Sequence, residues 1–79
     1  MIYYELTLLE VNESYLIRTA KAIKNGLRIN LKEATNIIIG VKSGDEKVIY
    51  DGSDFNKVLE TMKNLDEVGA LYELHNYTD

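Results

Sequence analysis

Apolar residues recur with period two at both ends of this chain and with the helical period between them, and no cysteine is present to brace the result. A chain of 79 residues without disulfides buries only about 60 to 65% of the surface it exposes when unfolded, so its apolar stripes have to meet in one core. Ile2 to Val11 alternates, with Ile2, Tyr4, Leu6 and Leu8 on one side and Tyr3, Glu5, Thr7 and Leu9 on the other, which predicts a strand. Asn12 or Ser14 can cap the next segment, in which Leu16, Ala20, Ile23 and Leu27 fall at helical spacing and Arg18, Lys21, Lys24 and Arg28 lie on the other side. Gly26 stands near the end of that helix, where a left-handed residue could close it.

Asn30-Leu31-Lys32-Glu33 has the form of a capping box, with Asn30 accepting from first-turn amides and Glu33 reaching back to the Asn30 amide. A second helix should therefore begin at Leu31. Its apolar positions Leu31, Ala34, Ile37, Ile38 and Val41 cover a broad arc, so it should pack on more than one side and stop near Gly40 to Gly44. Glu46 to Tyr50 is a short β-rich run, Asp51-Gly52 reads as a turn, and Ser53-Asp54 offers a cap and an acid for a third helix. Phe55, Val58, Leu59, Met62 and Leu65 form its apolar stripe, Gly69 ends it, and Ala70 to Tyr77 alternates again with Ala70, Tyr72 and Leu74 facing one way. The expected fold is α+β: a two-layer β-α-α-β-α-β domain over residues 1–79, with three helices on one face of a three-stranded, mostly antiparallel sheet. No proline, repeat or linker marks an internal boundary.

Apolar residues make up 46% of the chain and charged residues 28%, which is too apolar for intrinsic disorder. The longest apolar run, Ile37 to Val41 with Gly40 counted, falls far short of the roughly 20 residues needed to span a membrane. The N-terminus lacks the basic and apolar regions of a signal peptide, and the absence of cysteine suits a reducing compartment, so a cytoplasmic location is expected.

Thirteen acids against nine bases give a net charge of -4, which argues against general nucleic-acid binding. The distribution is more informative. Between Ser14 and Lys32 stand Arg18, Lys21, Lys24, Arg28 and Lys32 with no acid among them, while the flanking segments are mainly acidic. Such a ridge would steer an acidic partner surface toward itself. Six tyrosines are many for this length, and tyrosine is a common interface residue. Tyr15, on the turn into the basic helix, is the one assigned to the interface.

Nothing in the sequence builds an active site. The single histidine, His75, falls on the outward side of the last strand beside Glu73, and reads as a surface residue rather than a general base. Ser14, Ser43 and Ser53 are caps or loop residues. Asp45, Glu46 and Asp51 read as a solvated acidic loop rather than a calcium site, so neither metal nor cofactor is expected. Gly40-Val41-Lys42-Ser43-Gly44 lacks the ending of a phosphate-binding loop and follows a helix instead of a strand.

With Leu31-Lys32-Glu33-Ala34 preceded by a basic amphipathic helix and followed by a third helix, Val68-Gly69-Ala70 and a closing strand, the chain resembles the C-terminal domain of the bacterial ribosomal stalk protein from Tyr4 to Leu74. The strand at Lys47 to Tyr50 is similar to one in the Clp protease adaptor, which shares that fold. The stalk resemblance implies docking of GTPase translation factors through the first two helices, and the matching positions are Ile17, Lys21, Lys24 and Lys32. The chain departs from the family at Leu16 and Thr35, where lysines are usual, at Asn30, which replaces a glycine, and in the link between the helices, reduced to Gly26. It shows no counterpart of the stalk's dimerisation region and hinge, so the resemblance implies a stand-alone module rather than an ordinary stalk subunit.

The expected function is thus protein–protein interaction, not catalysis. A translation factor or another host protein would be bound through Tyr15, Ile17, Arg18, Lys21, Lys24, Arg28 and Lys32. The abundance of Ile, Asn, Lys and Tyr is that of an AT-rich genome and would suit a phage or mobile-element regulator. Two alternatives use other chemistry: a Clp-adaptor-like peptide pocket built from Asn12 and Glu13, or an RNA-binding accessory protein using the same ridge. The sequence sets no oligomeric state.

Overall fold

The computed structural model describes residues 1–79. Its elements are β1 (Ile2–Glu10), α1 (Leu16–Leu27), α2 (Leu31–Lys42), β2 (Lys47–Gly52), α3 (Phe55–Glu67) and β3 (Leu71–Thr78), with a single 3₁₀ turn at Glu13–Tyr15 ahead of α1. The expected order and class hold. The sheet runs β2-β1-β3, and both pairings are antiparallel.

Alternation in β1 decides which sheet face is covered. Leu6 and Leu8 are fully buried beneath the helices, while Tyr3, Glu5 and Thr7 point to the opposite, uncovered side. α2 lies against β1 and β2, α3 lies against β1 and β3, and α1 sits between the two helices and touches both. Twelve buried residues form one cluster, among them Leu6, Leu8, Ile23, Leu27, Ala34 and Leu65. Two bulges adjust the sheet: Ile49 is the extra residue in β2 between the Leu6/Tyr50 and Thr7/Val48 pairs, and Leu9 is the extra residue in β1.

The helix starts follow local chemistry. The Asn12 side chain accepts from the Ser14 amide at 2.9 Å. Asn30 Oδ1 accepts from the Glu33 amide at 2.8 Å, and Glu33 answers through its carboxylate, which accepts from Asn30 Nδ2 at 3.2 Å instead of from the backbone. At α3 the cap is Asp54, which accepts from the Lys57 amide at 3.1 Å; Ser53 stands outside the cap. Asp51-Gly52 is not a turn but the end of β2, where Asp51 pairs with Glu5 and Gly52 with Tyr4.

Two further expectations change. The left-handed residue that closes α1 is Arg28 (φ 58°), whose amide donates to the Lys24 carbonyl, and not Gly26. Gly26 is helical and buried where α1 meets α3: a Cβ there would collide with Thr61 Oγ1 and lie 2.8 Å from Thr61 Cα. The α3 stripe is also rotated. Val58, Thr61 and Leu65 are fully buried, whereas Phe55 and Leu59 are exposed, Phe55 resting against the Tyr4 ring. Both buried hydroxyls are satisfied: Thr61 Oγ1 donates to the Lys57 carbonyl at 2.8 Å, and Thr19 Oγ1 to the Tyr15 carbonyl at 2.7 Å. Gly69 (φ 67°) ends α3, letting the Ala70 amide donate to the Leu65 carbonyl at 3.1 Å.

Candidate protein-binding face

α1 is held on both flanks, so only a narrow outer strip of it reaches solvent. Residues at spacings of four and three turn back to nearly the same direction on a helix, and these are Ile17, Lys21 and Lys24, with Arg28 following at the left-handed cap. Ile17, Lys21 and Arg28 are exposed and Lys24 is half-buried. Arg18 flanks the strip, its guanidinium 5.4 Å from the centre of the Tyr15 ring, a cation–π placement that holds both side chains at the start of α1. Lys32 lies in the first turn of α2, just past the turn that carries Arg28. Tyr15, Ile17, Arg18 and Lys21 line one open hollow at the start of α1 together with Glu13, while Lys24 and Arg28 lie toward its other end and Lys32 on α2.

Two features distinguish this strip from an ordinary solvated helix face. The first is electrostatic: the molecule has one ion pair, Lys42 with Glu13 at 3.4 Å, so Arg18, Lys21, Lys24, Arg28 and Lys32 have no carboxylate partner within the chain. The positive end of the α2 dipole adds to the field near Arg28 and Lys32, offset in part by Glu33. The second is apolar. Ile17 is 73% exposed and Ile39 57% exposed, and both line a hollow of about 250 Å³ between α1 and α2, with Leu16, Ala20 and Ile38 beneath and Lys42 at its rim. Ile17 belongs both to this apolar hollow and to the basic strip, so an exposed apolar patch adjoins the unpaired cations of α1, the make-up of an interface core and its charged rim.

Ile39 was not among the expected apolar positions of α2. The signal was present: in the run Ile37-Ile38-Ile39, placing Ile38 inward with Ala34 and Val41 turns Ile39 by about 100° toward solvent. Thr35, also at the hollow, is the small residue that leaves it open.

The remaining chemistry is dispersed. No three of His, Asp and Glu cluster closely enough to hold a metal ion. His75 lies opposite Glu5 on the uncovered sheet face, away from α1. Asn12 and Glu13, the residues of the alternative peptide pocket, are otherwise engaged: Asn12 caps the 3₁₀ turn and Glu13 pairs with Lys42. Two tyrosine hydroxyls bind carboxylates at 2.7 Å, Tyr72 to Asp66 and Tyr77 to Asp51. The accepting carboxylates favour the protonated phenols, raising the Tyr72 pKa and pushing that of Tyr77 up to about 12. No helix is long and apolar enough to cross a membrane.

No protein-family model matches the chain, and no curated protein matches it either. The class is thus defined by fold and surface: a small α+β domain whose middle helix presents unpaired cations and the exposed Ile17.

Proposed function

We propose that the chain is a protein-binding module that docks an acidic, partly apolar surface of a partner protein onto the outer strip of α1. The observation that carries this reading is that five cations between Arg18 and Lys32 have no carboxylate partner in the chain while Ile17, exposed among them, opens onto the apolar hollow it shares with Ile39. The resemblance to the ribosomal stalk C-terminal domain makes a GTPase translation factor the first partner to test, with Ile17, Lys21, Lys24 and Lys32 as matching contacts. A phage or mobile-element regulator of the host machinery would use the same surface.

The test is capture of purified translation GTPases, and of RNA, on the immobilised chain and on Lys21→Glu/Lys24→Glu, with circular dichroism showing that both chains are folded. Retention of a GTPase by the unchanged chain alone supports the reading. Equal retention by both chains moves the interface off α1. Retention of RNA without any GTPase replaces the reading with the RNA-binding alternative.

A further inference from the structure

The sheet ends in two borders that differ in kind. β2 has only six residues, is broken by the Ile49 bulge and carries Lys47 and Asp51, features that discourage pairing with another strand. β3 is eight residues long, contains no lysine or proline, and pairs with β1 without interruption from Thr78 to Tyr72. Its other edge has no neighbour.

Hydrogen-bond phase shows what that edge offers. The Asp79 amide donates to the Met1 carbonyl at 3.4 Å, in register with the Ile2/Thr78 and Tyr3/Tyr77 pairs. In an antiparallel ladder bonded pairs alternate with non-bonded ones, so Glu73, His75 and Tyr77 also turn their backbone groups toward β1. Tyr72, Leu74, Asn76 and Thr78 then present theirs to the free edge.

We propose that a second copy of this chain occupies that edge, pairing β3 with β3 antiparallel about a two-fold axis at Leu74. Directly opposed residues must share a sheet face, so the candidate registers are centred on single residues, and side-chain chemistry separates them. Centred on Leu74, the open face sets Glu73 against His75 of the second copy, and His75 against its Glu73, so a ring N–H meets a carboxylate twice. Leu71, 55% exposed, stands opposite Tyr77, whose ring leans over Tyr3 toward Asp51 and so leaves room for the leucine. On the helical face Leu74 meets Leu74 and Tyr72 meets Asn76. A centre at Glu73 opposes two carboxylates, a centre at His75 sets Leu71 against Asp79, and a centre at Asn76 sets Glu73 against Asp79. Of these four registers only the one centred on Leu74 sets acid against histidine twice and leucine against leucine, and centres nearer either end of β3 pair fewer of its residues.

This pairing closes on itself as a two-fold dimer and makes one continuous six-stranded sheet. Because the axis stands perpendicular to the sheet, both helical layers lie on the same side, and the dimer displays two α1 strips in one direction. The inference is independent of what α1 binds.

Sedimentation equilibrium of the whole chain over a concentration series tests it, together with Asn76→Pro and Asn76→Ala. Proline removes an outward amide that makes no bond to β1 and is tolerated on a border strand. The unchanged chain and Asn76→Ala should approach twice the monomer mass, while Asn76→Pro stays monomeric with the circular dichroism of the folded chain. Register is read by mixing Glu73→Cys and His75→Cys chains under mild oxidation. Positions 73 and 75 of opposite copies form a non-bonded pair about 4.5 Å apart at Cα, within disulfide reach, so the linked species should require both chains. A monomer at every concentration, an undiminished Asn76→Pro dimer, or equal linking by either cysteine chain alone overturns the proposal.

Discussion

Replacing Gly26 with alanine sets two known effects against each other. Alanine is favoured over glycine inside a helix by about 1 kcal/mol, so an exposed Gly→Ala change would stabilise the chain. At Gly26 the added methyl meets Thr61 Oγ1 and lies 2.8 Å from Thr61 Cα, and a backbone atom cannot swing aside. Nor is the threonine free to rotate, since it is fully buried with its hydroxyl bonded to the Lys57 carbonyl. Relief requires α1 and α3 to separate by several tenths of an ångström, which loosens the packing of Ile23 and Leu65 between them. Overpacking of this kind costs about 1–3 kcal/mol. With backbone as the obstacle the upper half of that range applies, leaving a net loss of about 1–2 kcal/mol after the propensity gain. In a domain of this size that lowers the thermal midpoint by about 5–15 °C, measurable by circular dichroism or calorimetry. Gly26→Ala/Thr61→Ala should recover part of the loss, and the double-mutant cycle should give a non-zero coupling. A Gly26→Ala chain as stable as the unchanged one would refute the close approach, and with it the placement of α1 that presents the basic strip.

Two further outcomes follow from local geometry. Arg28 occupies the left-handed region at φ 58°, which costs a non-glycine residue about 1–2 kcal/mol, so Arg28→Gly should raise stability by about 1 kcal/mol after glycine's greater unfolded-state entropy is subtracted. Removing one cation from the strip should weaken partner binding at the same time, so the two readouts move in opposite directions. Tyr77 keeps its proton up to about pH 12 in the fold because Asp51 accepts its hydrogen bond, whereas an unfolded tyrosine releases it near 10. Its contribution to stability is therefore present below pH 10 and is lost as pH rises toward 12. Ultraviolet titration should find a late phenolate signal in the folded chain that Tyr77→Phe reduces to the Tyr72 contribution, since Asp66 raises that pKa as well, and an early titration of all six tyrosines would contradict this.

Much of the fold was legible because its signals are local. Period two in β1 set Leu6 and Leu8 on one side, which is the buried one, and the capping box marked Asn30, while at α3 the cap is Asp54, one residue past the expected Ser53. What was hidden depended on neighbours distant in sequence. Gly26 could equally have closed α1 or admitted another helix, and only the approach of Thr61 selects the second role. Thr61 carries a hydroxyl and was left out of the α3 stripe, although its spacing from Val58 and Leu65 is helical and its hydroxyl is absorbed one turn back by Lys57. Leu59 falls within the apolar stripe by spacing, yet the helix turns Val58, Thr61 and Leu65 inward against α1 and leaves it facing outward. The basic strip was legible as charge without acid between Ser14 and Lys32; its apolar companion Ile39 and the free edge of β3 required the helix rotation and the strand order β2-β1-β3.

The central claim is that α1 binds its partner through unpaired cations around an apolar contact. It is tested most directly by titrating a translation GTPase against the unchanged chain, Lys21→Glu/Lys24→Glu and Ile17→Ala at low and at high salt. The expected result is saturable binding that weakens as salt shortens the Debye length below about 10 Å, at least about tenfold weaker for the charge reversal, and weaker for Ile17→Ala at both salt concentrations. Binding that is indifferent to all three substitutions and to salt, in chains with unchanged circular dichroism, would contradict the account.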